Sequence, residues 1–301
     1  MKTSAVRPRI LVATDLSDPA GEALRQADTH ARSVDGVLGV CHILPSSGVH
    51  LLFPDRYSSG AADEVTLDER DRAVIIERVI STTGRPADSF DVFVERGTEY
   101  SEIVRRAEDW RATLVVVGSH DRAGAAPGGG LGGVATKVVR YAHCPVLVAR
   151  PATHRGLVVC ATDLSAASLP AVEAAVVEAR LRSAQLVVLH IVDQGVPLAS
   201  VGPSEGITPL VLSPELLHDL RATARAEIAA VLSKLEAHAE STIVEGPAAT
   251  TILKFLEDRE PEIVVVGTRG RTGLARVVLG SVAEHVVRAA RTSVLVVRLS
   301  P

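Results

Sequence analysis

The pentapeptide ATDLS stands at Ala13–Ser17 and again at Ala161–Ser165, 148 residues further on. It does not recur alone. GVCHIL, ending at Leu44, is answered by VVLHIV, ending at Val192. VERGTEYSEIVRRAED from Val94 is answered by IVEGPAATTILKFLED from Ile243, and TLVVVGSH from Thr113 by EIVVVGTR from Glu262. CPVLVAR from Cys144 is answered by TSVLVVR from Thr292. The order is kept and the offset stays at 148 or 149 residues. Solenoid repeats run about 20–50 residues, so a period this long marks duplicated domains. The total of 301 residues agrees, since it holds about two domains of ordinary size. Proline and polar residues interrupt the pattern in RPATHRG, Arg150–Gly156, which sets expected domains at 1–150 and 156–301.

Within each copy, short apolar runs alternate with helical stretches. LVAT reads as a strand, and Ser17 to about Val34 as a helix with apolar Ala20, Ala23, Leu24 and Ala27 on one face. Ser17 is its expected cap. The second copy repeats this with Ser165, Ala171, Val172, Ala175 and Val176. Irregular segments at Pro45–Gly60 and Asp193–Pro209 precede charged helices expected at about Val65–Thr83 and Pro214–His238. The later runs VVVG and VLVV are apolar on both faces, as in parallel strands covered by helices on both sides. Each half is therefore expected to be an α/β, Rossmann-like doubly wound domain with a five-stranded parallel sheet. Ligands of such sheets lie beyond the strand carboxyl ends, at the switch point of strand order.

Composition narrows the function classes. A net charge of -4 gives no argument for nucleic acid, and no apolar run reaches the length of a membrane span. The start, MKTSAVRPRILVATD, lacks the apolar stretch of a signal peptide, so a cytoplasmic location is expected. There are three cysteines and no C-x-x-C. Cys41 and Cys160 fall in apolar runs and read as small buried hydrophobes. His42 and His190 hold matching places in apolar runs and read as packed structural residues. His120, Asp121 and His143 show no standard metal-ligand spacing, and no metal is expected there.

The chemistry concentrates after the fourth strand of the second copy. GTRGRTGLARVVLGS gives Gly267, Gly270 and Gly280 in G-x2-G-x9-G spacing, followed by Ser281. Glycine leaves room for a ligand beside the backbone. The first N–H groups of the following helix, at Ser281, Val282 and Ala283, favour an anion. Arg269 and Arg271 can neutralise part of a phosphate chain. The segment is neither a Walker A nor a G-x-G-x-x-G loop. Ser281–Glu284 also reads as a capping box needing no ligand. Asp163 closes strand one on the same rim, as Asp15 does in the first copy; it can accept from an amine or ribose hydroxyl, or cap its helix. Ile191, after His190, can wall a base pocket.

An aspartate ending strand one together with G-x2-G-x9-G-[ST] resembles the universal stress protein family. The likeness covers nearly the whole chain as two tandem domains. It implies an adenine nucleotide alpha hydrolase-like fold that binds ATP, with Mg2+ or Mn2+ held through the phosphates, and slow hydrolysis at most. On that resemblance Asp163 and Ile191 meet adenosine beside Val266 and Gly267. Gly270, Gly280, Ser281 and Val282 hold ribose and phosphates.

The first copy departs from the motif. Gly118 matches Gly267, but Asp121 stands at the place of Gly270, Gly133 at that of Ser281, and the loop is one residue longer. Its site, with Asp15 and Gly118, is expected to be degenerate, although Arg122 and Lys137 can still attract an anion. No general base has a clear assignment; Glu284 is one candidate. The expected role is an ATP-dependent stress-response regulator. A nucleotide-independent scaffold and a sensor of another nucleotide are the alternatives. The final strands, PVLVAR and SVLVVR, are candidate edges for pairing the two domains, or two chains as a homodimer.

Overall fold

The computed structural model describes residues 7–18, 20–44, 61–119, 131–152, 154–193, 213–268 and 279–298. Contacts divide the chain after Arg150 into two compact units. The first unit runs β1 (Arg9–Ala13), α1 (Ala20–Ser33), β2 (Val37–Leu44), α2 (Ala61–Thr83), β3 (Phe90–Arg96), α3 (Glu99–Asp109), β4 (Leu114–Gly118), α4 (Gly133–Tyr141) and β5 (Val146–Ala149). The second runs β6 (Leu157–Thr162), α5 (Leu169–Arg182), β7 (Gln185–Val192), α6 (Pro214–Lys234) and β8 (Glu240–Glu245). It ends with α7 (Ala248–Arg259), β9 (Ile263–Gly267), α8 (Ser281–Ala289) and β10 (Ser293–Val297).

In the first unit the strand order is β3-β2-β1-β4-β5, and every pairing is parallel. In the second it is β8-β7-β6-β9-β10, again parallel. The order reverses between β1 and β4, and between β6 and β9. α1 packs on α2, and α3 on α4, so the first sheet is sandwiched between two helix pairs. This covering explains the unbroken apolar runs: Val115, Val116, Val264 and Val265 are wholly buried. Burying each such side chain contributes about 1.5–3 kcal/mol.

The predicted apolar faces are the buried ones. Ala20, Ala23, Leu24 and Ala27 of α1 face the core, as do Ala171, Val172, Ala175 and Val176 of α5. Four boundaries differ from expectation. α2 starts at Ala61 rather than near Val65. α1 starts at Ala20, where Ser17 Oγ accepts from the Ala20 N–H at 3.4 Å while also donating to Asp15, and α5 starts at Leu169 with Ser168, not Ser165, as its N-cap. α6 stops at Lys234 rather than near His238, since Glu236 adopts φ 48°. Among the described residues no helix is long and apolar enough to cross a membrane.

Gly39 of β2 lies under the ring of Trp110, the single tryptophan of the chain; a Cβ there would stand 2.8 Å from the ring. The indole is fixed by Nε1 donation to Asp91 and by the edge of Phe93, centroids 5.7 Å apart. Gly39→Val is expected to cost about 1–3 kcal/mol by overpacking. Urea unfolding followed by tryptophan emission measures it, and an unchanged midpoint contradicts the close approach.

Burial pushes the thiols of Cys41 and Cys160 up to about 12. Only the thiolate is nucleophilic, so at mildly alkaline pH both stay protonated in the folded chain. Iodoacetamide is expected to spare them until urea exposes them, as read by peptide mass spectrometry.

Candidate functional site

The repeated ATDLS builds one turn twice. Thr14 donates its N–H to Cys41 O at 2.9 Å, and its carbonyl accepts from His42 Nδ1 at 2.7 Å. In the second unit Thr162 O accepts from His190 Nδ1 at 2.9 Å. A carbonyl can only accept, so both rings carry a proton on Nδ1. Both histidines are buried, and their structural reading fits this bond. The threonine hydroxyls accept from the N–H of Leu16 and Leu164, each at 3.0 Å. Those leucines sit at φ 64° and 62°, a left-handed conformation costing about 1–2 kcal/mol for a side-chain-bearing residue. The aspartates close the turn: Asp15 Oδ1 accepts from Ser17 N–H and Oγ at 3.0 and 2.6 Å, Asp163 Oδ1 from Ser165 at 3.1 and 2.7 Å. Neither aspartate caps its helix; each holds an Asx turn.

Register then brings the predicted residues of the second unit together. Thr162 pairs with His190, so Asp163 falls level with Ile191. Ala161 pairs with Val266, so Asp163 comes level with Thr268, just past Gly267. Gly280 donates its N–H to Thr268 O at 2.9 Å, which anchors the start of α8 at the end of β9. Asp163, Ile191, Val266, Gly267, Gly280, Ser281 and Val282 therefore share the carboxyl rim at the switch point. Arg269 and Gly270 lie outside the described residues, as do Arg271, His120, Asp121 and Arg122.

The capping-box reading of Ser281–Glu284 is corrected. Gly280 is the N-cap, at φ -62° and ψ 149°, and Ser281 is the first helical residue, so the N-cap has no side chain with which to cap α8. Glu284 accepts from Arg288 Nη2 at 3.3 Å. A glycine N-cap leaves the leading N–H groups of α8 without the usual side-chain acceptor of that position. Gly280 is not there for a left-handed backbone. Among the described residues a Cβ would meet only Thr268 O, at 3.4 Å, so what its bareness provides is space above the helix start.

The first unit repeats the rim around a cavity of about 300 Å3. Asp15, Ile43, Val117, Gly118 and Val134 line it, the counterparts of Asp163, Ile191, Val266, Gly267 and Val282. A Cβ on Gly118 would meet no described residue within 4 Å, because it opens into the cavity. Glu99 and Ile103 of α3 also line it. Sequence reasoning missed both. Their signal was faint: an apolar residue, and a charge four residues before it, at the start of a surface helix. Lys137, expected to draw anions, does not line the cavity; its Nζ lies 4.7 Å from the Tyr100 ring centroid. His143 bonds the Ala112 carbonyl at 3.1 Å. Among the described residues no cluster of three His, Cys, Asp or Glu is arranged for a metal.

Two parallel five-stranded sheets, each with an aspartate and a glycine-led helix at its switch point, define a tandem α/β protein. Comparison with known proteins makes this specific. The universal stress protein family model matches residues 7–150 and again 155–298, and the chain belongs to that family. A universal stress protein of Methanocaldococcus jannaschii is 33% identical over 47% of this chain and 81% of its own length. One from Mycolicibacterium smegmatis is 28% identical over 99% of both chains. One from Mycobacterium tuberculosis is 32% identical over 63% of this chain and 62% of its own. Among solved structures, a universal stress protein from Archaeoglobus fulgidus superposes with a TM-score of 0.63 at 18% identity, covering 96% of each chain. That likeness concerns the fold.

Thr162 is the joint of the second rim. Its hydroxyl bonds Ser168 Oγ at 2.8 Å in addition to Leu164 N–H. Thr162→Val would leave the half-buried Leu164 N–H without its acceptor and Ser168 Oγ with only its bond to Ser165 O, and is expected to cost about 1–3 kcal/mol. The midpoint of urea unfolding is the readout. An unchanged midpoint would mean the turn does not need the hydroxyl.

Proposed function

We propose that the chain is an ATP-binding universal stress protein whose nucleotide site is the rim of the second unit, and that it acts as a nucleotide-dependent stress-response regulator. The observation that carries this reading is the glycine-led start of α8, whose N-cap has no side chain, on the same rim as Asp163. An oriented set of free N–H groups favours phosphate. The carboxylate one strand away suits a ribose hydroxyl or the purine amine. Ile191 supplies an apolar wall, and Ser281 a hydroxyl at the helix start. Arg269 and Gly270 complete the motif in sequence. A divalent cation fits this site as a companion of the phosphates: the rim offers one carboxylate and one hydroxyl, too few to hold it without them.

Phosphoryl transfer needs a group to orient the attacking water. Glu284, the one candidate, is turned to Arg288 along its own helix. The reading is therefore a binding protein that hydrolyses ATP slowly at most.

Calorimetric titration of nucleotide-stripped protein with ATP and Mg2+ is expected to show one site per chain. Gly280→Val should abolish most of that affinity while leaving the fold intact, since a Cβ at Gly280 meets no clash. Unchanged affinity would remove the second rim as the phosphate site. No binding to the parent chain would favour a nucleotide-independent scaffold.

A further inference from the structure

We propose that the cavity of the first unit is a separate site with inverted charge preference: it takes a phosphate-free nucleoside of the adenosine type and rejects phosphorylated forms. The nucleoside assignment rests on the adenine-nucleotide reading of the second unit; the charge argument stands without it.

The argument starts from what lines the cavity. Its walls are Ile43, Ile103, Val117 and Val134, apolar surfaces suited to the faces of a base. The ionisable side chains on its lining are Cys41, held protonated by burial, and two carboxylates, Asp15 and Glu99. No lysine or arginine lines it among the described residues. Glu99 stands where the second unit has Ala248, and Gly133 where it has Ser281. The first rim has thus gained a carboxylate and lost a hydroxyl donor relative to the second. Both hydrogen bonds of the Asp15 carboxylate fall on Oδ1, leaving Oδ2 to accept from a ligand hydroxyl or amine.

The start of α4 opposes this, since a helix N-terminus attracts anions. Its macrodipole amounts to about half a charge. Two full carboxylates outweigh it, and the described lining is net negative. A neutral hydroxylated ligand can bond a carboxylate, whereas a phosphate there meets like charge. A volume of about 300 Å3 is at the small end for ligand pockets, which also suits a ligand without a phosphate tail.

The test uses the full chain carrying Gly280→Val, which silences the second rim, titrated by calorimetry with adenosine and with AMP. Adenosine is expected to bind at one site, and AMP at least about tenfold more weakly. Glu99→Lys is expected to close or reverse that gap. Gly118→Val adds its side chain into open cavity and is expected to abolish adenosine binding, with circular dichroism unchanged. AMP binding as tightly as adenosine overturns the proposal. So does adenosine binding that survives Gly118→Val, or no adenosine binding to the Gly280→Val chain. ATP titration of the Gly118→Val chain reads the second rim alone. Its failure, with adenosine still bound by the Gly280→Val chain, would sink the ATP reading and spare this charge preference.

Discussion

The carboxyl end of the first strand in each unit hangs on one buried bond, from histidine Nδ1 to a threonine carbonyl. The bond spans 28 residues in both copies and ties the tip of the first strand to the second. It gives a buried carbonyl the partner it needs. With that carbonyl fixed, the next residues have little freedom. Leucine is driven to positive φ, the threonine hydroxyl takes its N–H, and the aspartate folds over the serine. Strain of this kind persists only where neighbours over-determine it, and it gathers at ligand rims. Here it sets the direction of the aspartate.

The parallel sheet supplies the second constraint. Because the order reverses between β1 and β4, and between β6 and β9, the chain leaves adjacent strand tips toward opposite faces. The gap between those departures is where a ligand can sit. A backbone bond then closes each rim: Gly132 N–H to Ser119 O at 3.1 Å, and Gly280 N–H to Thr268 O at 2.9 Å. The helix that follows has a glycine N-cap in both units, a residue with no side chain to place on the leading amides.

Duplication lets one scaffold carry two electrostatic characters. The turns, the histidine anchors and the strand register are the same in both units, while the substitutions fall on the rim. Glu99 against Ala248, and Gly133 against Ser281, change the chemistry of the rim while the bonds that hold the turns stay the same.

The sequence by itself determined the duplication, the layer architecture and the faces of α1 and α5. These follow from repeat spacing and apolar periodicity, which are local. It also marked Asp163, Gly267, Gly280 and Ser281, because glycines and a lone carboxylate at strand ends stand out against apolar runs. Tertiary structure decided the rest. Asp15 and Asp163 hold turns rather than helices and bind Ser17 and Ser165 there, beside a left-handed leucine that no propensity foretells, while Ser17 still accepts from the Ala20 N–H. Ser281 is the first residue of α8, not its cap, because Gly280 is pinned to Thr268 across the rim. Glu99 and Ile103 reach the first cavity only through the packing of α3 on the sheet. Such contacts join residues far apart in the chain, and neither spacing nor composition records them.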